Sequence, residues 1–377
     1  MNKDDVKAII IIFLILLLIS AVGLLGLNIY LTITNRDVND LWMAYEGNVT
    51  ITPDEDKVTD TDNEGNSVLN QILSAESQNQ SANPNTPTIK EQYYYKQINS
   101  YAKIIYDKLK ENKENLKSGT YKLDFGKEFN DLLQQENGSD LLQEYYQSAI
   151  ETYLYDNPDV FYIDPTKMYL NIQTTKKLFT TTYEVYLDCG ENSNYLAEGY
   201  FSKEQILNYE NKIKQATQEI LSKASGKSDY DKILIIHDYL VENVSYEETI
   251  SKNNIFNIYG TLVNKESVCE GYAKAFKYLM DQVGVKTIVV IGTATDSKGN
   301  SQNHAWNYVN LNNEWYAIDA TWDDPIIIGG GWLTKKSKYK YFLKGSITMA
   351  KDHNESYSFI ENGTVYQLPS LSVRDYE

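Results

Sequence analysis

The sequence predicts mixed helices and strands behind one apolar N-terminal segment, and three observations carry that prediction. Residues 269–283 repeat apolar side chains at spacings of three and four. Two strand-like runs joined by Asn312-Asn313 follow that helix. Ala8 to Leu27 is apolar throughout, with Ser20 the sole polar interruption. The first pattern has the period of an amphipathic helix, the second that of a hairpin, and the third the length of a membrane span.

From the N-terminus, 20 apolar residues reach about 30 Å as a helix, enough to cross a hydrocarbon core. The apolar character continues through Tyr30 and Leu31 without a small-residue cleavage motif, which favours a signal anchor over a cleaved signal peptide. Lys3 and Lys7 precede the span and Arg36 alone follows closely. The positive-inside rule then places the short N-terminus inside and the bulk of the chain outside. The expected location is the cell membrane, single-pass, with residues 1–34 as anchor. Residues 35–90 turn polar, and Gln78 to Thr88 has linker composition. Asp60, Asp62, Glu64 and Gly65 imitate the start of a calcium loop. Its twelfth position is Gln71, which lacks the bidentate carboxylate, so the stretch reads as solvated linker.

About 340 residues remain beyond the anchor, room for two modest domains, divided here as 91–225 and 226–377. The formal charge of −17 carries no compensating basic stripe, which argues against nucleic acid as a partner. Arginine occurs only at 36 and 374; Lys, Asn and Ile richness suits an AT-rich, low-GC bacterial genome. Two cysteines exclude a disulfide scaffold. Three histidines without CxxC or HExxH spacing make a metal site or other cofactor unexpected.

In the 91–225 region, Ile98, Tyr101, Ala102, Ile105 and Leu109 mark one amphipathic helix, and Leu141 to Leu154 a second. Asn157 to Asp164 and Lys177 to Leu187 read as turn and strands. Phe201 to Ser222 is helical, with Ser202 and Gln205 as a capping box, and Ser228 to Val244 is helical again. Tyrosine numbers 32; packing is its default use, although a tyrosine surface can also bind glycan or peptide. Cys189, ending a strand-like run from Thr181, reads as structural, as does His237 among Ile and Leu. His353 stands in a loop-like setting.

The chemistry concentrates further on. Ser267-Val268-Cys269-Glu270 has the form of a capping box, which puts Cys269 in the first turn of a helix. Tyr272, Ala275, Phe276, Leu279, Met280 and Val283 form its apolar face, and Gly284 stops it. Unsatisfied N–H groups and the macrodipole favour an anion at that position. Thr287 to Gly292 is a β-branched run, and His304 to Leu311 reads as a strand. Asn312-Asn313 suits a two-residue type I′ turn, and Glu314 to Asp319 returns. In that register Leu311 faces Glu314, Trp306 faces Asp319, and His304 and Asp319 are diagonal neighbours on one face. An odd loop length would separate them. A carboxylate so placed can hold an imidazole, and the imidazole can take a thiol proton. Taken singly, Cys269 reads as a buried cysteine, His304 as a sheet histidine and Asp319 as a turn former.

The blocks "IHDYLVENVSY" (236–246), "VCEGYAKAF", "HAWN" (304–307) and "YAIDATWDDP" (316–325), in that order, resemble the transglutaminase-like superfamily of papain-like cysteine enzymes. The resemblance spans about residues 230–325. It implies an α+β, papain/transglutaminase-like core in which the cysteine helix packs on an antiparallel sheet carrying His and Asp. By position it makes Cys269 the nucleophile, His304 the general base and Asp319 its orienter. The reaction implied is acyl transfer through a Cys269 thioester on a protein, peptide or cell-wall amide, with an amine or water completing it. The Cys269 backbone N–H is a natural oxyanion donor, and Tyr259 is a candidate for a second. The alternative reading is a catalytically silent, surface-anchored binding or scaffold module.

Overall fold

The computed structural model describes residues 51–53, 92–324, 338–358 and 364–377. The apolar run Ala8–Leu27 and the calcium-loop mimic at 60–71 lie outside them. Among the described residues, no helix is long and apolar enough to cross a membrane.

The architecture is α+β. Strand β1 (Ile51–Pro53) is followed by helix α1 (Ser100–Glu111), strand β2 (Leu123–Gly126) and helix α2 (Gly138–Asp156). Strands β3 (Tyr169–Lys177) and β4 (Thr180–Asp188) form a hairpin. Together they make a four-stranded sheet of order β1-β3-β4-β2. Helix α1 is capped by the Asn99 side chain and buries Ala102, Ile105, Tyr106 and Leu109, the face that periodicity predicts. Asn157–Asp164 is a turn with one isolated bridge, Ile163 to Leu196, and most of the Lys177–Leu187 run is strand β4, as expected. Strand β3 ahead of Lys177 was not expected.

Helices α3 (Lys203–Ala224) and α4 (Asp229–Asn243) start at the expected serines. The Ser202 hydroxyl accepts from Gln205 N, and the Gln205 side chain returns to the Phe201 N–H at 2.8 Å. Ser228 caps α4 through Asp231 N. After the short parallel pair β5 (Ser245–Tyr246) and β6 (Glu266–Ser267) come helix α5 (Cys269–Val283) and strands β7 (Thr287–Thr295), β8 (Ser301–Leu311), β9 (Glu314–Ile318) and β10 (His353–Glu355). The second sheet has order β10-β7-β8-β9 and is antiparallel throughout.

One hydrophobic cluster runs from Tyr94 to Tyr366 and joins the two sheets' regions. The tyrosine excess is largely spent there: eleven of the twelve largest fully buried side chains are tyrosines. Helix α5 lies against β7 and β8. The Asn307 amide donates to Ala273 O of α5 at 2.9 Å and to Ile288 O of β7 at 3.1 Å, a polar staple between helix and sheet.

Candidate active site

Cys269 opens α5, half-buried and free, but the capping box expected around it does not form. The N-cap residue is Val268, with no side-chain cap. Ser267 is buried in β6, where its hydroxyl is engaged by Thr261 Oγ1 at 2.8 Å and donates to Ile255 O at 3.0 Å. Glu270 pairs instead with Lys274 one turn on. Close backbone approach fixes the helix start. A Cβ on Gly271 would stand 2.1 Å from Ser267 Oγ and 2.5 Å from Ile255 O, so only glycine fits there. Tyr272 then donates to Asp324 Oδ2 at 2.7 Å, tying the first turn to the segment after β9.

The hairpin follows the sequence-derived register. Leu311 pairs with Glu314 and Asn307 with Ile318. Asn312 and Asn313 both adopt positive φ, 55° and 67°, as a type I′ turn requires. His304 and Asp319 consequently meet. His304 Nε2 donates to Asp319 Oδ2 at 2.7 Å, with both side chains buried. Asp319 is also a turn former, since its Oδ1 accepts from Thr321 N at 3.0 Å and Trp322 N at 3.1 Å. Asp319 thus both forms the turn and meets His304.

Burial works against a charge on His304, but the Asp319 carboxylate and then the Cys269 thiol, which hydrogen-bonds the ring, outweigh it and push its pKa up to about 10. With Nε2 given to Asp319, Nδ1 is the nitrogen left for sulfur. Burial likewise opposes ionisation of Asp319, and His304 and His353 outweigh it, holding the carboxyl well below its usual range. Trp322 and Trp306 wall the imidazole, at ring-centroid separations of 5.3 and 6.0 Å. A thiol, an imidazole and a carboxylate in series can pass a proton from sulfur to nitrogen and stabilise the resulting charge pair.

Three residues here escaped the sequence reading. His353 lies on β10, not in a loop, and its Nε2 reaches Asp319 Oδ2 at 3.1 Å. Tyr246 of β5 has its pKa raised by burial first and then by Cys269 and Asp319, which places it beside them. Tyr155 of α2 is fully buried, and Lys274 Nζ of α5 stands 5.2 Å from its ring centroid, so the first region packs against the helix that Cys269 opens. Tyr259, the candidate oxyanion donor, is stacked on Tyr209 of α3 with centroids 4.0 Å apart. His237 is a core histidine, buried on α4 with Nε2 3.0 Å from Asp323 Oδ2. Cys189 is free and half-buried at the edge of the core. His304, Asp319 and His353 offer three ligand atoms within 4.8 Å of one another, a spacing a metal ion can use. Here those atoms are engaged in the imidazole–carboxylate hydrogen bonds.

Residues 214–320 match the family model of the transglutaminase-like superfamily, and this segment of the chain belongs to that superfamily. The chain is 23% identical over 186 residues to the kyphoscoliosis peptidase of Mus musculus, covering 44% of this chain and 26% of that protein. It is 22% identical over 167 residues to the Homo sapiens protein of the same name, covering 40% and 24%. The matched part thus spans about a quarter of these relatives' length. Among solved structures, a TGase crystal structure superposes with TM-score 0.28 at 16% identity, covering 47% of this chain and 50% of that one. The periplasmic domain of TgpA from Pseudomonas aeruginosa gives TM-score 0.24 at 14% identity, covering 38% and 56%.

Proposed function

We propose that this chain is a membrane-anchored cysteine enzyme, its α+β body outside the cell, that transfers acyl groups from amide or peptide substrates through a thioester on Cys269. The observation that carries the reading is His304, bonded through Nε2 to Asp319 at 2.7 Å, with the Cys269 thiol among the groups that raise its pKa. In this mechanism the Cys269 thiolate attacks the substrate carbonyl. The oxyanion is met by backbone N–H groups of the first turn of α5, which have no partner within the helix. Protonated His304 gives its proton to the departing amine while Asp319 holds the ring. Water or a second amine then attacks the thioester, with His304 now acting as base, and yields hydrolysis or a new amide. The substrate is a protein, a peptide or a cell-wall amide.

Incubation with glutamine- and peptide-amide donors, with and without a biotinylated primary amine, tests this by mass spectrometry. Amine incorporation identifies a transamidase and release of the free acid a hydrolase. Either must vanish in Cys269→Ala. No acyl-enzyme and no product across a broad donor set would contradict the proposal and favour the silent binding module.

A further inference from the structure

Asp319 Oδ2 serves two imidazoles, not one. His304 Nε2 approaches it at 2.7 Å and His353 Nε2 at 3.1 Å. His353 is anchored from behind: its Nδ1 lies 2.8 Å from Asp352 Oδ1, Tyr341 OH donates to Asp352 Oδ2 at 2.6 Å, and Lys340 Nζ donates to Tyr341 OH at 2.6 Å. The His353 side chain is wholly buried, and Trp322, Trp306 and Tyr341 pack around its ring with centroids at 4.8, 5.1 and 5.1 Å. Strand pairing places it there: His353 sits opposite Ala294 on β7, and His304 opposite Gly292 on the same strand. A Cβ on Gly292 would stand 2.1 Å from Asn354 O, so the glycine lets β10 come this close.

We infer that His353 is a positioning residue for the Cys269 site: it fixes the Asp319 carboxylate from β10 and shares the oxygen through which that carboxylate acts on His304. The inference rests on the proposed acyl-transfer reading. His353 Nε2 faces Asp319 Oδ2 and its Nδ1 faces Asp352 Oδ1, so the ring bridges the two carboxylates. Asp319 Oδ2, accepting two strong hydrogen bonds, gives each less than it would give one alone. His353 therefore sets how tightly Asp319 holds His304, and with it the pH range over which a protonated His304 stands beside the thiol. The titratable groups facing this arrangement are Asp352, Tyr341 and Lys340 behind His353, His304 and Cys269 beyond Asp319, and Asp323 and Tyr246 close to Asp319.

The test is the pH dependence of Cys269 carboxymethylation by iodoacetate in the full chain in detergent, read by peptide mass spectrometry with Cys189 as internal reference. The anionic reagent gives a bell: the rate rises as thiolate forms and falls as His304 loses its proton. In His353→Asn the shorter amide reaches Asp352 but not Asp319, and the alkaline limb should move up by about one pH unit. In His353→Gln, whose amide reaches Asp319, the shift should be smaller. Limbs that stay in place in His353→Asn, or a Gln variant that moves as far as the Asn variant, overturn the inference. If His353→Asn does not fold, Asp352→Asn loosens the anchor and leaves the Asp319 contact. It should move the limb the same way by less, and an unmoved limb again overturns the inference. A wild-type profile with no bell, unchanged by His304→Ala, instead sinks the acyl-transfer reading itself.

Discussion

His304–Asp319 and His237–Asp323 are nearly the same pair twice. The two carboxylates stand four positions apart in the chain. Both are buried, and each meets a histidine Nε2, at 2.7 and 3.0 Å. The difference lies in the second nitrogen. His237 Nδ1 faces Asp238 at 3.2 Å, and Tyr339 and Phe342 close around the ring. For His304 no second carboxylate takes that place; the Cys269 thiol is instead among the groups that raise its pKa. An imidazole–carboxylate pair with both nitrogens spent on carboxylates is a structural clamp; with one nitrogen on a nucleophile, the same pair can run chemistry. His237 serves the site at one remove, because Asp323 also accepts from Tyr341 N at 2.8 Å and so pins the chain that runs past Asp319.

Replacing each histidine should separate the two pairs most sharply. His304→Ala is expected to lower kcat/KM on any amide substrate by roughly 10²–10⁴-fold, while His237→Gln changes it by only a few-fold. Equal losses would erase the distinction. Stability should show the reverse order. His237→Leu leaves Asp323 buried with the Tyr341 N–H but without its imidazole, at a cost of about 3–5 kcal/mol, measured as a fall in the urea midpoint; His304→Gln should cost less.

The next contrast is with pH. Folding raises His304 from about 6.5 to about 10. Its contribution is therefore complete below pH ~6.5 and is lost as pH climbs through the folded value. Wild-type Tm should fall across that window, and His304→Gln should flatten the fall. Asp319 works the other way: its pKa is depressed, so its contribution is present above about pH 4 and lost in stronger acid.

The smallest effect concerns a buried carboxyl with no imidazole. Burial raises Glu151 to about 8, with only Gln147 opposing. Folding therefore grows costlier as pH rises from about 4.5 towards 8. Glu151→Gln should stabilise by roughly 1–3 kcal/mol at pH 8 and by little at pH 5, read from denaturation midpoints at the two pH values.

Local periodicity made much of this legible. The apolar face of α5 put Cys269 in a first turn and the Asn312-Asn313 turn brought His304 beside Asp319; that the cysteine helix packs on that sheet was implied by the family resemblance. Other features depend on tertiary closeness that sequence spacing does not carry. His353 lies 34 residues beyond Asp319 on a three-residue strand, too short to show a pattern. The Ser267 cap fails because β6 and Ile255 claim its hydroxyl first. Strand β3 did carry a signal: Leu170, Ile172 and Thr174 alternate inward with the period of a half-buried strand.

The most direct measurement is the rate of Cys269 alkylation by limiting iodoacetamide across pH, compared with Cys189 in the same chain, in wild type, His304→Ala and His237→Gln. Cys269 should react quickly well below the ~8.5 pKa of a free thiol; His304→Ala should remove this advantage and His237→Gln should retain it. A Cys269 no faster than Cys189, or one indifferent to His304, would contradict the pairing on which the proposed function rests.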